Sequence, residues 1–171
     1  CLDQGVSKEA LEAFDLALKT APQRAKCHQT IAGLYRKRRL WDLAESHYEM
    51  AMGEVAVYPQ ALLGMAVLCR QKGDQFQYME MVDRLRRLET DDRDILTEIG
   101  ICDLAEGRYE AAISAFEKAL QRNPDDVYLH TNLALACQHL GRIDEAIKHN
   151  LKALSIKDDS LEALINLGHI Y

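Results

Sequence analysis

Proline and long hydrophobic stretches are scarce in this sequence of 171 residues. It contains three prolines and nine glycines, while 48% of its residues are apolar and 28% are charged. This balance excludes a disordered tail, a collagen-like fibre and a mucin-like stalk. The longest nearly unbroken apolar run, residues 61–69, is about half of the roughly 20 residues that a membrane-spanning helix needs. We therefore expect no membrane span. The residues given carry no secretory signal, but we interpret the true N-terminus as missing, so this absence excludes no signal.

The residue clusters that mark metal and catalytic sites are also missing. Five cysteines are spread along the chain with no two within four residues, and six histidines form no His-Glu-x-x-His pattern. Zinc sites and disulfide frameworks need closer spacing, so we interpret the cysteines as free thiols in a reducing compartment. The sequence has no Gly-x-Ser-x-Gly motif and no phosphate-binding glycine loop. We expect no enzymatic activity, no metal or cofactor, and a cytoplasmic location.

Excess positive charge is absent as well, which argues against nucleic acid as the partner. The formal net charge is −6, from 21 basic and 27 acidic residues. Non-specific binding to nucleic acid depends on neutralising phosphates, which an acidic chain does poorly. Two short basic runs stand out, at residues 36–39 and 84–87. Given the acidic residues around them, we interpret both runs as solvated helix faces.

What the sequence does contain is a 34-residue repeat. The 171 residues of the chain are five times 34 plus one. In this register small residues recur at positions 8, 20 and 27, glycine at 15, an aromatic at 24 and proline at 32. Small side chains suit closely crossing helices, glycine suits the left-handed end of a helix, and proline cannot continue one. Each block therefore predicts a helix of about 14 residues, a tight turn and a second helix. Full blocks begin at Ala25, Pro59, Arg93 and Val127, and an incomplete block begins at Leu161.

This pattern resembles the tetratricopeptide repeat family, and the resemblance covers the whole chain. It implies an all-α, right-handed superhelical solenoid of antiparallel helix pairs, whose first helices line a concave groove. We predict a single array over residues 1–171, with partial repeats at 1–24 and 161–171 and full repeats at 25–58, 59–92, 93–126 and 127–160. Both chain ends fall within a first helix, so we interpret the sequence as a slice of a longer array. The best-matching block carries Gly100, Gly107, Tyr109, Ala112, Phe116, Ala119 and Pro124.

Two departures from the repeat pattern carry structural expectations. The block 59–92 has Tyr78 and Leu85 where small residues are usual, which predicts an altered local spacing of helices. Asp103 stands where the family usually has tyrosine. Because an unpaired buried charge is costly, the Asp103 carboxylate must be either exposed or hydrogen-bonded, and we favour a rim position with access to water.

The groove positions implied by the resemblance give a candidate binding surface. Its earlier part is basic, and its later part mixes apolar and amide groups. The candidate residues are Lys26, Gln29, Arg36, Leu63, Val67, Arg70, Thr97, Glu98, Ile101, Tyr128, Asn132, Leu135, Asn166 and His169.

Three modes of recognition are known in the resembled family or follow from its surface. The clamp that holds acidic chaperone tails needs lysine at position 5 and asparagine at position 9, and both are absent, so we exclude it. The arm of O-linked N-acetylglucosamine transferase holds extended peptides with a ladder of asparagines, which Asn132 and Asn166 match. An amphipathic helix on the apolar groove residues is the third mode.

The sequence thus predicts a non-enzymatic scaffold that binds a peptide or helix of a partner protein in its concave groove. Two alternatives stay open. The chain is otherwise a substrate-selecting arm of a larger, glycosyltransferase-like enzyme, or a homo-oligomer formed through exposed terminal repeats.

Overall fold

The computed structural model describes residues 13, 14, 16, 18, 23–55 and 58–170. Within these residues the regular structure is all α-helix, with no strand, so the predicted all-α class is confirmed. No helix in the described residues is both long and apolar enough to cross a membrane. Residues 1–88 and 89–171 form two compact units. The single array predicted over residues 1–171 remains a prediction.

The N-terminal unit contains two described helix pairs. Each first helix packs against the second helix of its own pair, and the two first helices also touch each other. Turns of two or three residues join the packed helices, so the helices of a pair run antiparallel. The helices are α1 (Arg24–Lys37), α2 (Trp41–Glu54), α3 (Pro59–Lys72) and α4 (Gln75–Arg86).

The C-terminal unit contains two further pairs and one additional first helix. Its three first helices contact one another in order, from α5 to α7 and from α7 to α9. Aspartate side chains cap two of these helices: Asp92 accepts from the backbone N–H of Asp94 and Ile95, and Asp126 from that of Leu129. The helices are α5 (Arg93–Ala105), α6 (Tyr109–Arg122), α7 (Val127–His139), α8 (Ile143–Ile156) and α9 (Leu161–Ile170).

Left-handed residues recur every 34 positions and set the repeat register. The backbone φ is +77° at Gly73, +75° at Gly107 and +72° at Gly141. In each case the next residue donates its N–H to a carbonyl five positions earlier, over 2.8–3.0 Å. This hydrogen bond satisfies a carbonyl at the helix end that has no partner within the helix. The predicted role of position 15 as the end of the first helix is confirmed.

The equivalent turn after α1 places Arg39 in the left-handed region, with φ of +60°. A residue with a side chain costs about 1–2 kcal/mol in this conformation. Glycine avoids that cost, but it also gives the unfolded chain more conformational entropy, which offsets part of the gain. We expect Arg39→Gly to stabilise the fold by about 0.5–1 kcal/mol, measured by urea denaturation. The matched change Gly141→Ala, in the same position of a later repeat, should destabilise it. If the free energy of unfolding changes in the same direction in both variants, the prediction is wrong.

The small-residue positions lie where helices cross, as predicted. Ala44, Ala112 and Ala146 at position 20 have no exposed surface, and neither do Ala51, Ala119 and Ala153 at position 27. Cys69, Cys102 and Cys137 are buried thiols that form no disulfide among the described residues, as expected for small apolar residues. Burial raises the pKa of the Cys69 thiol to about 11. Cys1 lies outside the described residues.

Tyr78 and Leu85 fill the same crossing positions in the block 59–92 with large side chains. Both are buried, at 2% and 0% exposure. The helix that carries them, α4, has 12 residues, whereas α2, α6 and α8 have 14. The altered helix spacing remains a prediction.

Asp103 does not lie at a hydrated rim, so that expectation was wrong. Its side chain is buried, with 4% exposure. The guanidinium of Arg108 donates to Asp103 Oδ1 from Nε over 2.8 Å and from Nη2 over 2.7 Å. The backbone N–H of Arg108 also donates to the Asp103 carbonyl over 2.8 Å. Arg108 follows Gly107, so the turn itself brings the cation back to the carboxylate.

Candidate functional site

In the N-terminal unit, the candidate residues lie on the two first helices, α1 and α3. Lys26 and Arg70 are exposed, whereas Gln29, Arg36, Leu63 and Val67 are half-buried. Arg36 Nη1 donates to Gln71 Oε1 over 3.2 Å, which ties the end of α1 to the end of α3. This part of the surface is polar at the helix ends and apolar in the middle of α3.

In the C-terminal unit, seven candidate residues form what we call the C-terminal surface. They lie on the contacting first helices α5, α7 and α9 and keep at least part of their side chains in solvent. Tyr128 is 51% exposed, a large fraction for an aromatic residue in the first turn of its helix. The residues of the C-terminal surface are Thr97, Ile101, Tyr128, Asn132, Leu135, Asn166 and His169.

Glu98 is a candidate residue that we leave out of this surface. Its side chain is 4% exposed and therefore belongs to the packed interior of the C-terminal unit. From sequence alone, position 6 of the repeat was assigned to the groove in every block. The structure shows that exposure at this position depends on the residues that pack over it.

The two ladder asparagines are already engaged within the fold. Asn132 Nδ2 donates to the Tyr128 carbonyl of its own helix over 2.8 Å. Asn166 Nδ2 lies 3.4 Å from the Thr131 carbonyl and 3.3 Å from Asn150 Oδ1. The Asn166 amide nitrogen therefore has acceptors for both of its protons, and it joins α9 to α7 and α8. Asn150 itself is fully buried.

Two histidine pairs are the feature that sequence reasoning missed. His28 and His47 place their Nδ1 atoms 3.0 Å apart, and His130 and His149 place theirs 3.1 Å apart. Both pairs occupy positions 4 and 23 of their repeats, three repeats apart along the chain. That recurrence in register was the signal available in the sequence. Each pair joins the first helix of a repeat to the second.

The hydrogen bonds of the second pair determine its tautomers. His130 Nε2 lies 3.0 Å from the Pro124 carbonyl, which accepts only, so Nε2 carries the proton. When Nε2 carries the only ring proton of His130, its Nδ1 accepts from Nδ1–H of His149. Burial lowers the pKa of His149, and the neighbouring His130 and Lys148 lower it further. Glu145 acts in the opposite direction, but its effect is smaller. Burial likewise lowers the pKa of His28 and of His47.

These pairs predict that stability falls on acidification. A histidine with a folded-state pKa below the ordinary 6.5 binds fewer protons when folded than when unfolded, so stability rises with pH across that window. We expect the free energy of unfolding to have its full value above pH 6.5 and to decrease progressively below that pH. Urea titrations between pH 7.5 and 5 measure it. The double variant His47→Gln/His149→Gln should flatten this dependence. His169→Gln, at an exposed position, should leave it unchanged.

The imidazole of His139, at the end of α7, lies against an aromatic ring. The His139 ring stacks on Tyr109, with ring centroids 4.6 Å apart and planes within 3°. In the described part of the chain, no three side chains of His, Cys, Asp or Glu come together as a metal-binding group. The stack instead fixes the end of α7 against the start of α6.

Comparison with known proteins gives a family and several relatives. A family model described as "Tetratricopeptide repeat" matches residues 103–167. The Hsp70-Hsp90 organising protein of Plasmodium falciparum is 38% identical over 73 residues, which are 43% of this chain and 29% of that protein. The chain spans less than a third of the length of the curated relatives it matches.

Two solved structures share the fold at low sequence identity. The crystal structure of YrrB, described as a TPR protein with an unusual peptide-binding site, has a TM-score of 0.73 at 18% identity, covering 94% of this chain and 83% of that one. A chain in the APC/C hetero-tetramer Cut9-Hcn1 has a TM-score of 0.80 at 18% identity, covering 95% and 32%. At these identities the likeness concerns the fold.

Proposed function

Because the chain belongs to the tetratricopeptide repeat family, we propose that it is a non-enzymatic scaffold that binds an amphipathic helix of a partner protein through its first helices. Proteins built from stacked helical repeats expose long surfaces relative to their size, and such surfaces suit extended ligands. One relative is named for organising Hsp70 and Hsp90. In this chain, however, no lysine stands at position 5 and no asparagine at position 9, where the chaperone-tail clamp needs them. A chaperone tail is therefore not the ligand that we propose.

The observation that carries the proposal is the set of apolar side chains on and beside the C-terminal surface. Ile101 and Leu135 are half-buried on neighbouring first helices, and Tyr128 is 51% exposed. Ile165, the residue before Asn166 on α9, is 47% exposed. Apolar side chains that stay in solvent on adjacent elements are typical of an interaction surface. An amphipathic helix would bury them with side chains spaced three and four residues apart.

The asparagines favour a helix over an extended peptide as the ligand. A ladder grips an extended peptide through free amide groups that donate and accept at once. Here Asn166 Nδ2 lies against Thr131 O and Asn150 Oδ1, and Asn132 Nδ2 donates to its own helix. If these amide groups turned to bind a peptide, the fold would lose the hydrogen bonds that they now make. The apolar residues are therefore the better source of binding energy.

The proposal is tested by selecting helical peptides from a displayed library and mapping where they bind. We expect Leu135→Asp to weaken the selected peptides at least tenfold, since a charge would lie in the apolar contact. Leu151→Asp is the matched control, because Leu151 is 52% exposed but lies on the second helix α8. Peptides that respond to Leu151→Asp and not to Leu135→Asp would overturn the proposal.

A further inference from the structure

A cavity of about 320 Å³ in the N-terminal unit is lined mostly by cations. It lies where α1 ends, beside the first residue of α2 and the last turn of α3. Three members of the basic run 36–39 reach it, so that run is more than a solvated helix face. The lining residues are Arg36, Lys37, Arg39, Trp41 and Gln71.

Within the described part of the chain, the exposed cations at this cavity are not paired with carboxylates. Lys37 and Arg39 are exposed, and neither forms an ion pair with any residue that the structure describes. The carboxylate of Glu45, in the second turn of α2, is bound to Lys72 Nζ at 2.5 Å. The cavity therefore keeps an excess of positive charge.

Arg36 is held in place with part of its guanidinium unused. Its Nη1 donates to Gln71 Oε1 over 3.2 Å. Its Nε is shielded from solvent and has no hydrogen-bond partner among the described residues. Buried donors are nearly always paired, and none of the described residues supplies an acceptor for this one.

Compensation of the helix dipole explains only part of this arrangement. Cations in the last turn of α1 interact favourably with the carbonyl end of the helix, which accounts for Arg36 and Lys37. It does not account for Arg39, which lies beyond the helix in a left-handed conformation. Nor does it place the indole of Trp41 on the cavity wall.

We propose that this cavity binds an anionic side chain of a partner peptide. Guanidinium groups match carboxylate and phosphoryl oxygens through paired hydrogen bonds, and an indole supplies an apolar wall for the stem that carries the anion. The net charge of −6 disfavours a nucleic acid as the source of the anion. The inference rests on the proposed function, since the anion belongs to a protein partner, but it uses other residues.

The chain reports on this cavity directly, because Trp41 is its one tryptophan. We would titrate the 171-residue chain at low salt with an acetylated, amidated peptide Gly-Glu-Glu-Glu-Glu-Gly and follow the indole fluorescence. We expect a saturable change with half-saturation near or below about 1 mM. The same peptide with four glutamines should give none. A phosphoserine version identifies the anion: tenfold tighter binding assigns a phosphoryl group, and otherwise a carboxylate.

Variants separate this cavity from general charge attraction. Arg39→Gly removes a lining cation from a strained position, so weaker binding would not come from unfolding. We expect it and Lys37→Gln each to weaken the glutamate peptide roughly fivefold. Arg87→Gln, an exposed arginine of the second basic run, should have no effect. No saturable change, equal binding of the glutamine peptide, or equal losses in all three variants would overturn the inference. Leu135→Asp should not alter this titration, so a failure here is distinct from a failure of the C-terminal surface.

Discussion

Replacing Gly100 by alanine should destabilise the C-terminal unit by about 1–2 kcal/mol, although alanine is the better helix former. A Cβ at this position would lie 2.5 Å from Phe116 Cε1 and 2.7 Å from Cδ1. Phe116 is fully buried in the core, so its ring has little room to move. Overpacking of this kind costs about 1–3 kcal/mol or more, which outweighs the gain in helix propensity of about 1 kcal/mol. Urea denaturation followed by circular dichroism measures the difference.

Gly168 provides a matched control for this prediction. It occupies the same repeat position as Gly100, on α9, but a Cβ there meets no atom within 4 Å. Gly168→Ala should therefore be neutral or stabilising by up to about 1 kcal/mol. Adding Phe116→Leu to Gly100→Ala should make the double variant lose less than the sum of the two single losses. Stabilisation by both alanine substitutions would contradict the close packing described for Gly100.

Replacing Arg108 by methionine should cost about 2–3 kcal/mol, because it leaves the buried carboxylate of Asp103 without its cation. Breaking a buried ion pair on one side costs about 3–5 kcal/mol. We expect less here because the Arg108 side chain is 45% exposed and water can reach its place. Arg108→Lys should recover only part of the loss, since an ammonium cannot reproduce the paired contacts from Nε and Nη2. Denaturation at pH 7 measures all three proteins.

A double variant distinguishes the charge from the packing of the arginine stem. Asp103→Asn/Arg108→Met removes both charges, so it should be more stable than Arg108→Met alone. If the double variant is instead less stable than the single one, the stem of Arg108 and not its charge supports the turn. Glu106 also contacts Arg108 Nη2, so every variant should retain Glu106.

The sequence predicted the helical repeat well because its strongest signals are local. A left-handed residue after each first helix and a small residue at each crossing act within a few positions of the chain. Four of the five predicted block starts, from Pro59 to Leu161, are the first residues of their helices, and the fifth differs by one residue. Only glycine adopts a positive φ without cost, so its spacing alone marked the turns.

The candidate surface was harder to predict because exposure depends on distant packing. Glu98 and Asn132 share position 6 of the repeat, yet the first is buried and the second is half-buried. Asn166 was expected to face a peptide, but it joins three helices through the Thr131 carbonyl and Asn150. The register says which helix a residue occupies, and the neighbouring side chains decide what remains exposed.

By itself, then, the sequence determined the period, the helix boundaries and the small residues at which helices meet, because these follow from backbone sterics and local periodicity. Only the tertiary structure decided which polar groups are paired. Asp103 is buried because the turn after Gly107 returns Arg108 to it, and the histidines at positions 4 and 23 meet because two helices of one repeat pack antiparallel. The walls of the cavity beside Trp41 have the same origin, since Gln71 reaches Arg36 from another helix 35 residues away. These contacts join residues far apart in the chain, and their energies depend on burial that only packing creates.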